Sequence, residues 1–227
     1  TPLNAVSGHC HLLRRRFGEA LGAEGLQLLG KVERASQLMA GLVDDLLMLS
    51  RVGAKDLDLR EIDLSQLARP VIESLAEQDP GRTVRFDAPA ELLVQFDPGL
   101  AASLLFNLLG NAWKFTSGRP DARIQLTARE LDEATVICIE DNGVGFDSAD
   151  APKVFRPFQR FHSLSQFSGT GVGLVTCQRI LQRHGGDIQV ASSPGHGTTV
   201  KLTIPRARPR RNGTAAGTGA SSPSMAP

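Results

Sequence analysis

The chain has 227 residues, 41% of them apolar, a net charge of +1 and three cysteines. That length fits one large domain or two small ones with a real core. The near-zero charge removes any bulk electrostatic case for nucleic acid or a membrane surface. No apolar run approaches the roughly 18 residues that span a bilayer, so no membrane segment is expected, and no signal-peptide pattern opens the chain. Cys10, Cys138 and Cys177 stand far apart among apolar neighbours. That usage suits structural thiols in a reducing cytoplasm, not disulfides or a metal site. The chain opens at Thr1, without an initiator Met and already in a helix-like pattern, which reads as a fragment of a longer protein.

Residues 1–53 read as two helices. Leu3, Val6, Leu12 and Leu13 mark an apolar side up to about Phe17, and Gly18, Gly22 and Gly25 flank the turn. The second helix carries Leu28, Val32, Ala35, Met39, Leu42, Leu46 and Leu49 in alternating steps of four and three, a sustained heptad seam. Leu38, Val43 and Leu47 widen the stripe, which calls for a bundle of four helices and hence a dimer. After a polar connection from Gly53 to Asp58, Leu59–Leu64 reads as a short strand and Leu64–Gln78 as a helix whose first turns Pro70 could disturb. Thr83–Asp87 and Leu92–Phe96 are strand candidates. Asp97-Pro98 then starts a helix through Phe115. Ile124–Glu130 and Thr135–Glu140 alternate as paired strands. Residues 147–170 lack a clear period. Val172–His184 is helical and closes at Gly185-Gly186, and Asp187–Ala191 with Thr198–Ile204 forms a last hairpin. From Pro205 onward the composition is that of a disordered tail. The expected division is a helical hairpin over 1–53, an α/β domain over 54–205 and a tail over 206–227.

Three stretches carry chemistry. Val136–Phe146 is an apolar strand that ends in Asp141 and breaks at Gly143 and Gly145; such a turn lets backbone pass close to a ligand. Asn107, Asn111 and Lys114 are spaced four and three apart on a helix and share one face. Two amides and an ammonium there suit a polyphosphate site, with neutral oxygens that hold Mg²⁺ weakly unless phosphates supply the charge; a solvated polar stripe is the plainer alternative. Gly169-Thr170-Gly171-Val172-Gly173-Leu174 runs into a helix N-terminus, where backbone N–H groups favour an anion. It is neither a Walker loop nor a dinucleotide fingerprint, and a flexible hinge would look the same.

Taken together, residues 107–115, 141–146, 155–161, 169–174 and 195–199 resemble, in order, the five nucleotide-binding boxes of sensor histidine kinases. These belong to the ATPase superfamily shared with topoisomerases and heat-shock chaperones. Phe155-Arg156-Pro157-Phe158-Gln159-Arg160-Phe161-His162 looks like the aromatic box that separates the kinases from the other branches, and Thr1-Pro2-Leu3-Asn4 resembles the tail of their phosphoacceptor box. The lid run and the stem look most like kinases attached to phytochrome or PAS sensors. The resemblance covers about residues 1–204. It implies an α+β protein: a helical-hairpin stem, half of a dimeric four-helix bundle, followed by an α/β sandwich that binds ATP. Asp141 would bind the adenine amino group, with Gly143 and Gly145 letting the base approach, Phe146 closing that motif and Phe115 lying against the ring. Asn111 would ligate Mg²⁺, with Asn107 and Lys114 near the phosphates. Arg160 would reach them from the lid. Gly169, Gly171 and Gly173 would form the hinge of that lid, with Leu174 and Thr198 near the base. Lys114, Arg160 and Thr1 are the catalytic candidates, Thr1 because the family places there the residue that positions water for phosphatase action.

By the same resemblance the γ-phosphoryl group of ATP would pass to a histidine and onward to an aspartate of a response-regulator receiver domain. A sensor domain would lie upstream. The acceptor histidine is expected about four residues before Thr1 and is absent from this chain; His9 and His11 fall at the wrong place in the motif. The fragment is therefore expected to bind ATP without phosphorylating itself. The alternatives are an ATP-binding module acting in trans or degenerate, and a chaperone- or topoisomerase-type ATPase.

Overall fold

The computed structural model describes residues 2–54, 56–159, 167 and 169–206. Its first element, α1, runs over Pro2–Ala54 and is interrupted at Gly22, whose φ of 60° and ψ of −177° are not helical. Arg14 forms an ion pair with Glu33, 19 residues on. In one straight helix those residues would be about 28 Å apart, so the chain doubles back into a hairpin. Gly22 makes the turn on its own. Gly18 is a helical position with open space around it, so the first helix runs past Phe17 to Gly22. Cys10 and Ser36 are buried in the stem, while Val6, Leu12, Leu13, Phe17, Leu28, Val32, Met39, Val43, Leu46 and Leu47 remain exposed. The side chains of Leu3, Leu38 and Leu49 lie outside the described set.

A two-layer sandwich follows. Strands β1 (Arg60–Asp63), β2 (Arg85–Asp87), β3 (Leu93–Phe96), β4 (Arg123–Glu130), β5 (Ala134–Asp141), β6 (Asp187–Ser193) and β7 (Gly197–Pro205) alternate with helices α2 (Leu64–Gln78), α3 (Pro98–Phe115) and α4 (Gly173–Arg183). A five-stranded sheet has the order β2-β4-β5-β7-β6, antiparallel except for β2 against β4; β1 and β3 form a separate antiparallel pair. The two strand candidates between α2 and α3 thus belong to different sheets. Alternation decides the layers. Thr135, Ile137 and Ile139 of β5 are buried, as are Val200, Leu202 and Ile204 of β7, and α3 and α4 cover that face. Leu104, Leu105, Leu108 and Leu109 of α3 fill the space between, each worth about 1.5–3 kcal/mol of burial.

Capping sets the helix starts. Asp63 accepts from Ser65 N and Gln66 N and also from Leu92 N, so α2 begins where β1 ends. It continues through Pro70 without a break. Asp97 accepts from Gly99 N and Leu100 N, ahead of Pro98 in the first turn of α3. Arg206, expected in the tail, instead pairs with Glu130 and donates its N–H to Glu133 O; residues 207–227 lie outside the described set. Among the described residues no helix is long and apolar enough to cross a membrane.

Candidate functional site

One face of the sheet ends in two aligned rows. Register places Asp141 of β5 beside Thr198 of β7, and Thr198 beside Ser192 of β6. Two residues deeper, Ile139, Val200 and Val190 line up in the same way. Strand alternation puts both rows on the helix side. The deeper row, with α3 and α4 above it, bounds a cleft of about 250 Å³. Its floor is apolar and its rim polar, the lining expected of a small-molecule site.

Asp141 sits at the inner rim. Oδ1 accepts from Gly143 N at 2.9 Å. Burial pushes its carboxyl up to about 6, against the N–H groups of Gly143 and Thr198, which pull the other way. Ser192 Oγ accepts from Phe146 N at 3.0 Å, donates to Gly197 O at 2.8 Å and lies 3.0 Å from Thr198 Oγ1. The turn after Asp141 is locked to the end of α3, because Val144 N donates to Phe115 O at 3.1 Å. A Cβ at Gly143 would come within 2.5 Å of that carbonyl, and one at Gly145 within 2.0 Å of Ser193 O. The space where these side chains would stand is therefore filled by protein backbone, beyond any approach of a ligand. Gly145 lines the cleft; Gly143 stands behind it.

The helix supplies the other wall. Asn107, Asn111, Lys114 and Phe115 all line the cleft. Lys114 Nζ donates to Asn111 Oδ1 at 3.1 Å and lies 4.2 Å from the centre of the Phe115 ring. Asn107 Nδ2 donates to Ser103 O at 3.0 Å, leaving Oδ1 toward α4. There Gly173 packs so closely that a Cβ would sit 2.6 Å from that oxygen. Gly169, Gly171, Gly173 and Leu174 line the same side, and α4 starts without a side-chain cap, so its first N–H groups remain available to a ligand. Phe146 and Thr198 complete the set. Of the residues singled out in the sequence, Thr1 and Arg160 lie outside the described residues.

Several lining residues carry no motif. Ile139, Val190 and Val200 follow from strand alternation only once the register is known. Phe167 meets Phe115 edge-on, ring centres 5.1 Å apart at 64°, and Gln159, Thr170 and Val154 also line the cleft. Phe167 stands two residues before Gly169, so its nearness to the glycine run was the available signal. Among the described residues no cluster of three or more His, Cys, Asp or Glu could hold a metal ion. The amide oxygens of Asn107 and Asn111 are hard but neutral donors, a set that fits Mg²⁺ arriving with phosphates better than a resident ion.

The family described as Histidine kinase-, DNA gyrase B-, and HSP90-like ATPase matches residues 96–208, and the His Kinase A (phospho-acceptor) domain matches residues 1–55. Among curated relatives, Cyanobacterial phytochrome A of Nostoc is 31% identical over 93% of this chain and 28% of its own length. Sensor histidine kinase GacS of Pseudomonas protegens is 33% identical over 92% and 24%. The adaptive-response sensory kinase SasA of Synechococcus is 32% identical over 90% and 56%. The chain thus spans between about a quarter and just over half of the length of these relatives. Among solved structures, full-length ShkA in complex with AMPPNP superposes with a TM-score of 0.63 at 26% identity, over 90% of this chain and 43% of that one. Acinetobacter baumannii histidine kinase AdeS gives 0.63 at 19% identity over 92% and 96%, a likeness of fold. With both the stem and the ATPase sandwich matched, the chain belongs to the sensor histidine kinases.

Proposed function

We propose that residues 54–205 bind ATP and deliver its γ-phosphoryl group to a histidine nitrogen, from which it passes to a response-regulator aspartate. Such a covalent intermediate splits one transfer into two. The observation that carries the reading is the cleft itself, in which a buried carboxylate on an apolar floor faces an Asn–Asn–Lys stripe and an uncapped helix start. The adenine ring fits the inner end, on Ile139 and Val200, with its amino group on Asp141 and Phe115 against one face. Ser192 and Thr198 hold the rim beside it. The phosphates then run along Asn107, Asn111 and Lys114 toward Gly169, Gly171 and Gly173. Lys114 neutralises phosphate charge there, and by family resemblance Arg160 adds a second cation. Asn111, helped by Asn107, would hold Mg²⁺, which when bound neutralises the developing charge on the phosphates. The protein's own share is positioning and charge stabilisation. Thr1 would position the water of a phosphatase reaction.

Residues 1–53 serve as a dimerisation and phosphotransfer stem, and residues 207–227, beyond the Arg206 pair, as a tail. The transfer runs to a histidine on a stem other than His9 or His11. Those two are i, i+2 on one helix and face different sides, and the His9 ring is tied to its own helix through Nδ1 and Ala5 O at 2.6 Å. Incubation with radiolabelled ATP tests the whole reading, alone and beside a separately expressed stem that carries the family's acceptor histidine. Acid-labile, base-stable label on the added stem supports it. Steady hydrolysis with no phosphoprotein would favour a chaperone-type ATPase instead. Label on residues 1–227 alone would refute the in-trans part.

A further inference from the structure

Arg119 lies outside every motif considered so far, on the loop between α3 and β4, yet its guanidinium reaches both turns that frame Asp141. Nη2 donates to the Gly143 carbonyl at 3.4 Å and, more tightly, to the Gly195 carbonyl. Gly195 N–H donates to Val144 O at 2.7 Å, and Val144 N–H donates to Phe115 O at 3.1 Å. Gly143 N–H closes on the Asp141 carboxylate. The end of α3, the 141–145 turn and the 194–197 turn are thereby joined into one ring of hydrogen bonds. The loop bearing Arg119 completes it. Two of these turns hold glycines in the left-handed region, Gly145 at φ 60° and Gly195 at φ 78°. Glycine backbone has the most conformations to lose, and a rigid planar cation that bridges two carbonyls restricts it.

We propose that Arg119 is a positioning residue for base recognition: it holds the Gly143 and Gly195 turns together and so fixes the Asp141 carboxylate in the orientation that reads the amino edge of adenine. The inference rests on the ATP-site reading of the cleft. Arg119 acts through the two turns and touches neither base nor phosphate. Without it the 194–197 turn is free to part from Val144, and water reaches a carboxylate that is now buried. The phosphate wall on α3 and α4 does not depend on it, because Asn107, Asn111 and Lys114 are held by their own helix.

Calorimetric titration of ATP and GTP, with inorganic tripolyphosphate as a base-free probe, separates the two ends of the site in the wild type, Arg119→Met and Arg119→Lys. The Met variant should bind ATP about tenfold more weakly, the scale expected for charge-assisted hydrogen bonds that act indirectly. Its preference for ATP over GTP should narrow by a similar factor, while tripolyphosphate affinity stays put. Lys, able to reach one carbonyl, should restore part of the loss. The pH profile adds a second readout. Wild-type ATP affinity should fall as the solution is acidified through the Asp141 value of about 6. In the Met variant that fall should move to lower pH, because a hydrated carboxylate ionises more easily. A merely structural role would reduce the competent fraction and leave the ATP-to-GTP ratio and the pH midpoint where they are. That result, or a folded Met variant whose ratio stays within about twofold of wild type, overturns the proposal. Should the Met variant melt below the assay temperature, the Lys variant carries the same comparison. A wild-type chain that fails to bind ATP overturns the ATP-site reading instead.

Discussion

Asp141 is held in conflict with its surroundings. Its carboxylate is the natural acceptor for an amino group, but burial in the cleft penalises the charge and lifts the group to about 6. A raised carboxyl means that between about 4 and 6 the folded state binds more protons than the unfolded one. Asp141 therefore contributes stability at low pH that is lost as pH rises through about 6. At pH 7.5 the ionised group costs the fold on the order of 3 kcal/mol. Asp141→Asn keeps the acceptor for Gly143 N and removes the charge. The variant should melt several degrees higher than wild type at pH 7.5, and this gain should vanish near pH 4, as read by calorimetry across pH. Its ATP affinity should fall about tenfold or more, because a neutral amide loses the charge-assisted bond and offers a wrongly placed donor. A variant that binds ATP as wild type does would remove Asp141 from base recognition. Gly173→Ala probes the opposite end of the cleft. The new methyl displaces the Asn107 amide at 2.6 Å, while alanine suits a helix better than glycine. Melting should change little and phosphoryl transfer should drop about tenfold, measured as kcat/KM on the added stem.

Helices α3 and α4 carry most of the proposed phosphate wall, and one imidazole joins their far ends. His184, at the end of α4, stacks flat on Phe96 with ring centres 3.5 Å apart. Its Nδ1 faces Ile180 O at 2.7 Å, and Nε2 accepts from Asp97 N at 3.1 Å at the cap of α3. That pattern requires the neutral tautomer with the proton on Nδ1. Burial lowers its pKa, helped by Arg183 and opposed by the Ile180 carbonyl and Asp97. The sign is opposite to that of Asp141: the unfolded chain binds the extra proton, so this stability is present above the ordinary value of 6.5 and is lost as pH falls below it. Where both groups titrate, below about pH 6, their contributions oppose one another. His184→Gln should therefore steepen the loss of stability with rising pH in that window, and unfolding midpoints in urea at pH 4.5, 5.5 and 6.5 would expose it. Nothing local in the sequence announces this pairing, since Asp97 and His184 are 87 residues apart. The helices themselves were readable because Asp63 and Asp97-Pro98 are local start signals and Gly185-Gly186 a local stop. The glycine and asparagine boxes were readable for the same reason. β2 is shorter than the Thr83–Asp87 candidate because only Arg85–Asp87 finds a partner in β4, and that pairing is decided by residues 38 positions on. Ile139, Val190 and Val200 required the register, and Arg119 required a side chain's reach to two distant turns.

At the scale of the whole molecule the two halves bury their apolar surface differently. The sandwich is closed: all twelve of its largest fully buried side chains lie between Leu64 and Leu202. The stem buries Cys10 and Ser36 but leaves Leu28, Val32, Met39, Val43, Leu46 and Leu47 about half exposed along its second helix. Two antiparallel helices have too few faces to cover a stripe that wide, whereas a second hairpin would supply the missing sides of a four-helix bundle. The stem also touches the site, since a Cβ at Gly41 would come 3.1 Å from Thr170 Cγ2, so dimer order and nucleotide binding need separating by experiment. Leu28 and Val32 serve for this because they lie toward the hairpin turn, at least nine residues from Gly41. The double variant Leu28→Glu, Val32→Glu places charge in adjacent layers of the proposed bundle. Each buried apolar side chain is worth about 1.5–3 kcal/mol, so the dimer should weaken by a hundredfold or more. Sedimentation velocity should then give a monomer at concentrations where the wild type associates. ATP affinity should stay within about twofold, because the sandwich carries the whole cleft wall described above. Identical sedimentation of the variant and wild type would show that the exposed stripe does not face a second copy. A loss of ATP binding together with the dimer would mean that the stem, through Gly41 and Thr170, forms part of the nucleotide site.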